Sequence, residues 1–238
     1  ILILGLAGIL NQVADKICFT YIIKGDEGEK LLGIYGSAVK VAMIMSMLTQ
    51  AFRYAYEPLV FSTAAHDREG QNKVYADAMK FFIIFALLAF LAVMFYLDIL
   101  KFIIGSTYWE GLKVVPIVML AEIFMGVYFN LSFWYKLTDQ TWWGAVFSFI
   151  GCAVLLAINF IFVPKYGYMA CAWGGFAGYG VCMLLSYFVG QKKSPINYPL
   201  KDIFMYVLLA AMLYVVYWFC KDLSMWLSLT INTILIGI

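Results

Sequence analysis

Asn11 and Asp15 stand four residues apart, and Gln12 and Lys16 repeat that spacing one position on. Residues four apart share a helical face, so these side chains predict a polar stripe along an otherwise apolar helix. A second set follows: Lys40, then Gln50, Arg53 and Glu57 at spacings of three and four. Glu122 lies inside a later apolar run with Asn130 two turns on, and Asn159 lies near the end of the next. An ionisable side chain in hydrocarbon costs about 2.5–3.5 kcal/mol on insertion scales, which makes such residues candidates for a substrate or ion path. Lining of a solvent-filled cavity is the chemistry expected of Asn11, Gln12, Asp15, Lys16, Lys40, Glu122 and Asn130. Arg53 and Glu57 are expected to pair as an i,i+4 couple near the headgroups, with cavity lining as the alternative. Glu122 is equally consistent with a packing hydrogen bond between helices.

The elements carrying these residues follow from composition. Of 238 residues, 65% are hydrophobic and 13% charged, against about 45–50% and about 25% in soluble domains. Mean hydropathy is +0.89, and aromatic residues make up 18%. No soluble core of this size hides so much apolar surface, so the chain is expected to lie in a membrane. A bilayer core about 30 Å thick needs about 20 helical residues. Eight apolar runs approach that length: Ile1–Ile23, Leu31–Phe61, Ala76–Leu97, Leu112–Tyr135, Trp142–Val163, Tyr168–Gly190, Ile203–Cys220 and Met225–Ile238. Long unalternating runs exclude a β-barrel, leaving an all-α polytopic transmembrane bundle.

Polar punctuation separates the runs: KGDEGEK at 24–30, HDREGQNK at 66–73, KLTDQ at 136–140, PKYG at 164–167 and QKKSPINYPLK at 191–201. The mixed stretch 98–113 suits either a short interfacial helix or a loop. Pro58 in the tail of the second run predicts tilt or an interfacial extension. Basic residues divide seven to six between the two sides, which leans the loops at 62–80, 136–141 and 191–202 toward the cytoplasm. The chain opens and closes inside apolar runs and reads as a fragment whose first segment is a retained span rather than a signal peptide.

Several classes are excluded or weakened. Lysine and arginine are too dispersed for a nucleic-acid surface. The five cysteines lack metal or redox spacing and read as small buried hydrophobes. No Walker A loop, HExxH, GxSxG or CxxC occurs, so no catalytic residue, metal or cofactor is expected. His66 beside Asp67 is expected in a solvated loop. Gly174 and Gly178 have the small-xxx-small spacing that lets helices approach closely.

Two stretches, LGIYGSAVKVAMIMSMLTQAFRYAYEP (32–58) and INFIFVPKYGYMACAW (158–173), resemble the polysaccharide transport, or oligosaccharide flippase, family of the multidrug/oligosaccharidyl-lipid/polysaccharide exporter superfamily. The matching pattern is Asn159, Pro164, Gly167, Ala170 and Cys171. Residues 102–141 are similar to lipopolysaccharide-biosynthesis flippases, so the resemblance covers nearly the whole chain.

That resemblance implies one lobe of a two-lobe pseudo-symmetric transporter in the bacterial cytoplasmic membrane: residues 1–190 as the C-terminal six-helix lobe, and 191–238 as two trailing helices. It implies a non-enzymatic flippase that moves an O-antigen or capsular repeat unit on undecaprenyl pyrophosphate to the periplasmic leaflet by alternating access. An ion gradient, H+ or Na+, is a candidate drive, with Asp15 or Glu122 the candidate protonation site. Lys16, Lys40 and Arg53 are the positions able to pair with pyrophosphate oxygens, and Asn11, Gln12 and Asn130 those able to bind sugar hydroxyls. Expected partners are the lipid-linked oligosaccharide, membrane lipid, and a polysaccharide polymerase or glycosyltransferases of the same pathway. A drug or cation antiporter of the same superfamily is the alternative, since three bases face three acids. A membrane-embedded glycosyl- or acyltransferase is a second alternative, resting on His66 and Asp67.

Overall fold

A computed structural model describes residues 14–64 and 68–220, helical apart from short connections of which 195–199 is the longest without helix or turn. Asn11, Gln12, His66, Asp67 and the run Met225–Ile238 lie outside the described residues. Helix α1 covers residues 14–22. It is followed by α2 (Asp26–Ala64), α3 (Arg68–Phe95), α4 (Leu97–Leu100), α5 (Val115–Leu131), α6 (Phe133–Leu137), α7 (Trp142–Tyr166), α8 (Tyr168–Lys193) and α9 (Leu200–Cys220). Six stretches are long and apolar enough to cross a membrane: Asp26–Val60, Asn72–Phe95, Ser106–Leu137, Trp142–Tyr166, Tyr168–Lys193 and Leu200–Phe219. These correspond to the six middle runs of the sequence.

The helices overrun their hydrophobic stretches, because hydropathy reads the thickness of the hydrocarbon while backbone hydrogen bonding continues into the headgroups. Expected as a connector, KGDEGEK instead supplies the first turn of α2, where Asp26, Glu27 and Glu29 face the positive end of the helix dipole. Helix α2 runs 39 residues, about 58 Å at 1.5 Å per residue, and passes through Pro58 without ending. The stretch at 98–113 is neither one interfacial helix nor plain loop. It is the end of α4 followed by 3-10 turns at Lys101–Ile103 and Ser106–Val114. Trp109 pins those turns together by donating its indole N–H to the carbonyls of Lys101 and Ile104, at 2.9 and 3.2 Å.

Large apolar side chains remain exposed along the outer faces, among them Phe149, Phe160, Ile161, Phe204, Trp218 and Phe219. Against water such surface is a liability; against lipid tails it is the expected contact. The chain is thus a multi-pass membrane protein. Inside, Met45, Phe82, Met94, Val115 and Met119 are fully buried where α2, α3 and α5 meet. Helix α9 lies along α3, held by the Lys80–Asp202 ion pair at 2.6 Å and by Phe90 against Tyr214.

Helices α7 and α8 form the tightest pair. They reverse direction at Gly167, whose φ of +56° is strained for any side chain. A Cβ added to Gly178 would stand 2.8 Å from the Gly151 carbonyl oxygen, and one on Gly151 would collide with the Cys182 sulfur. The close approach expected of the glycine spacing is therefore present, with Gly151 as the reciprocal surface. In the full-length protein in detergent, Gly178→Leu should lower the thermal midpoint by the equivalent of about 1–3 kcal/mol, the usual cost of overpacking. Gly36→Ala, where a Cβ meets nothing within 4 Å, should leave the midpoint unchanged or slightly higher.

Candidate functional site

The α1–α2 hairpin turns at Gly25, which sits at φ +88°. Antiparallel helices place residues equally far from a turn at the same height. Asp15 and Tyr35 each lie ten positions from Gly25, and the Tyr35 hydroxyl donates to Asp15 Oδ2 at 2.6 Å. The other carboxylate oxygen accepts the backbone N–H of Lys16 at 2.8 Å. Helix α8 closes the back of this site, with the Cys171 thiol 3.9 Å from the Asp15 carbonyl oxygen. Asp15 is thus held on both oxygens, as a carboxylate in an apolar bundle must be.

Asp15, Lys16 and Tyr35 open onto a cavity of about 140 Å³ between α1, α2, α5, α7 and α8, shared with Ser46, Glu122 and Tyr179. Apolar walls come from Val39, Val118, Leu155 and Ala172. This space accommodates several ordered waters. The structure therefore brings Glu122 to Asp15 and Lys16, which the sequence placed on a different span. The resulting cavity has two carboxylates, one ammonium and two phenols among the described residues, suited to hydrogen-bonding a polar headgroup or exchanging a proton or cation.

Other candidates sit elsewhere. Lys40 is exposed and outside the lining, although its neighbour Val39 is part of it. Asn130 donates its amide to the Gly126 carbonyl at 3.0 Å and faces a smaller pocket with Thr49, Arg53 and Phe129. Asn159 is completely buried, with its Oδ1 against Gly174. The expected Arg53–Glu57 pair does not form. Glu57 accepts instead from Lys136 Nζ at 2.9 Å, while the Arg53 guanidinium lies over the rings of Tyr54 and Phe129, at 5.4 and 5.2 Å. The reason is that helix α6 brings an ammonium to the end of α2 where a bundle contact is better shielded than a same-helix pair. Tyr35 and Lys136 were not singled out in the sequence. For Tyr35 the symmetric distance from Gly25 was the available signal; for Lys136, 79 residues from Glu57, there was none.

Alongside, a groove of about 330 Å³ runs between α3, α5, α8 and the start of α9. It is lined by apolar and aromatic side chains, including Met79, Ile83, Phe124, Met183 and Ile203.

No protein-family model and no curated protein matches the sequence. The fold is similar to a solved structure of the lipid II flippase MurJ in an inward closed conformation, with a TM-score of 0.73 at 18% identity. The match covers 98% of this chain and 50% of that one, so the chain spans half the length of the structure it resembles. The all-helical fold of this chain is thus MurJ-like.

The Glu57–Lys136 pair is partly shielded, each side chain keeping under a third of its exposure. In a double-mutant cycle with Glu57→Gln and Lys136→Met, followed by SDS unfolding of the full-length protein, we expect a coupling of about 0.5–3 kcal/mol. The cycle Arg53→Gln with Glu57→Gln should give none.

Proposed function

We propose that this chain is one lobe of a flippase that carries an oligosaccharide on polyprenyl pyrophosphate, such as an O-antigen or capsular repeat unit, across a bacterial inner membrane by alternating access. The carrying observation is the charged cavity of Asp15, Lys16 and Glu122 enclosed in an apolar bundle, with an apolar groove beside it. A lipid-linked sugar poses two incompatible solvation problems. Its sugars and phosphates must leave water without losing hydrogen bonds, and its tail must never enter water. A polar cavity and a separate greasy groove answer one each. The MurJ likeness supports a lipid-linked cargo, since the matched structure is that of a transporter rather than an enzyme.

In this reading Lys16 contacts the cargo phosphates, Tyr35 and Ser46 contact polar groups beside them, and Asp15 or Glu122 exchanges the coupling ion, H+ or Na+. Lys40, exposed next to the lining residue Val39, would face the second lobe. Residues 1–190 would form the six-helix lobe, and 191–238 trailing helices. The activity belongs to the two-lobe protein.

One observation favours a second reading. Two carboxylates against a single ammonium suit a cationic substrate, as in a drug or cation antiporter. Proteoliposomes of the full-length protein separate the two. We expect translocation of a fluorescent polyprenyl-pyrophosphate oligosaccharide, reduced about tenfold or more by Lys16→Gln, a loss of roughly 1.4 kcal/mol or more of charge-assisted binding. Ethidium transport by the same vesicles, with no movement of the lipid-linked sugar, would establish the antiporter instead.

A further inference from the structure

The face of α2 that lines the cavity with Tyr35, Ala42 and Ser46 continues through Thr49, Arg53 and Tyr56. Steps of three and four keep these residues on one side of the helix. At that lower level lies the separate small pocket of Thr49, Arg53, Gly126, Phe129 and Asn130. From Ser46 to Arg53 the helix rises about 10 Å.

We infer that this pocket is a second seat for one phosphoryl oxygen of the cargo. The inference rests on the flippase reading above and adds a station to it. Thr49 is 95% buried, 5% of its surface being exposed. Its Oγ1 has no hydrogen-bond partner among the described residues, and neither does the buried Nε of Arg53. Both are donors, and both line the same small space. A buried donor left unmade costs about 1–3 kcal/mol, so two in one pocket describe a place that an acceptor completes.

The arginine is prepared for an anion. Among the described residues it forms no ion pair, because Glu57 is taken by Lys136. Tyr54 and Phe129 approach its guanidinium, with ring centroids 5.4 and 5.2 Å from Cζ, and such contacts leave the buried Nε–H unspent. Gly126 keeps the space: a Cβ there would come 3.0 Å from Thr49 Oγ1 and would strike the Phe82 ring. The free volume is about 10 Å³, enough for one oxygen-sized group rather than a whole phosphate. Asn130 is a positioning residue whose amide is already spent on Gly126.

A phosphoryl oxygen can come from the cargo or from a phospholipid headgroup, so the test uses two probes: farnesyl pyrophosphate and phosphatidylglycerol, each bound to the full-length protein and followed by native mass spectrometry. Thr49→Val, nearly isosteric, should weaken farnesyl pyrophosphate binding about tenfold, and Arg53→Gln more. Arg53→Lys, which keeps the charge without the planar fork, should fall between, and phosphatidylglycerol adducts should not change. Weakened phosphatidylglycerol with unchanged farnesyl pyrophosphate would overturn the cargo assignment in favour of a headgroup seat. Binding of both probes unchanged in Thr49→Val and Arg53→Gln, with thermal midpoints near the parent, would overturn the seat itself. If Lys16→Gln alone abolishes farnesyl pyrophosphate binding, the flippase reading stands and only the second seat fails. If the parent protein does not bind farnesyl pyrophosphate, both fail together.

Discussion

A carboxylate inside an apolar bundle must have every lone pair answered by protein or water, and Asp15 is where this constraint shapes the structure. One oxygen takes the Tyr35 hydroxyl and the other the Lys16 backbone N–H. The Tyr35 bond sets the height of α1 against α2, the Lys16 bond holds the carboxylate within α1, and the Cys171 thiol reaching the Asp15 carbonyl sets α8 behind them. The cavity is the space that remains once these contacts are made. Lys16 and Glu122 share it from α1 and α5.

The remaining charges obey the same rule at other heights. Lys136 answers Glu57, Lys80 answers Asp202 and Lys113 answers Glu110. The first two pairs tie together helices that apolar packing alone would leave free to slide, since lipid tails are as apolar as leucine and supply no hydrophobic force between helices; Lys113 and Glu110 lie in one 3-10 stretch, which Glu110 joins to α8 by accepting the Tyr168 hydroxyl at 3.0 Å. Arg53 stands apart, its guanidinium beside the Phe129 ring at the small pocket it shares with Thr49. Polar groups along α2 are therefore of two kinds: those such as Glu57 that pair with another helix, and those such as Thr49 and Arg53 that the proposed second seat uses.

Much of the architecture was legible because the bilayer imposes one period and one length. Runs such as Trp142–Val163 and Tyr168–Gly190 became α7 and α8 with their first residues where the hydropathy placed them. Their last turns ran on to Tyr166 and Lys193, because nothing in the headgroup region breaks a helix until a residue such as Gly167 does. The site was only partly legible. Spacing identified Asp15, Lys16 and Glu122 as out of place in hydrocarbon, but not that they meet, which depends on how helices distant in sequence pack. It also suggested an Arg53–Glu57 pair that tertiary structure replaced, since Lys136 arrives from a different helix altogether. Lys40 shows the converse limit: depth within a run says nothing about which face of the helix a residue occupies.

In the proposed flippase the Asp15–Lys16–Glu122 cavity is a watered compartment that receives the polar end of a lipid-linked sugar. Ser46, on its wall, is the reporter that disturbs it least. In full-length protein carrying Ser46→Cys, a membrane-impermeant maleimide should label the new thiol above the background of the parent protein, and a polyprenyl-pyrophosphate oligosaccharide should protect it. A thiol that stays inert to the reagent, or that labels equally with and without the cargo, would contradict the account.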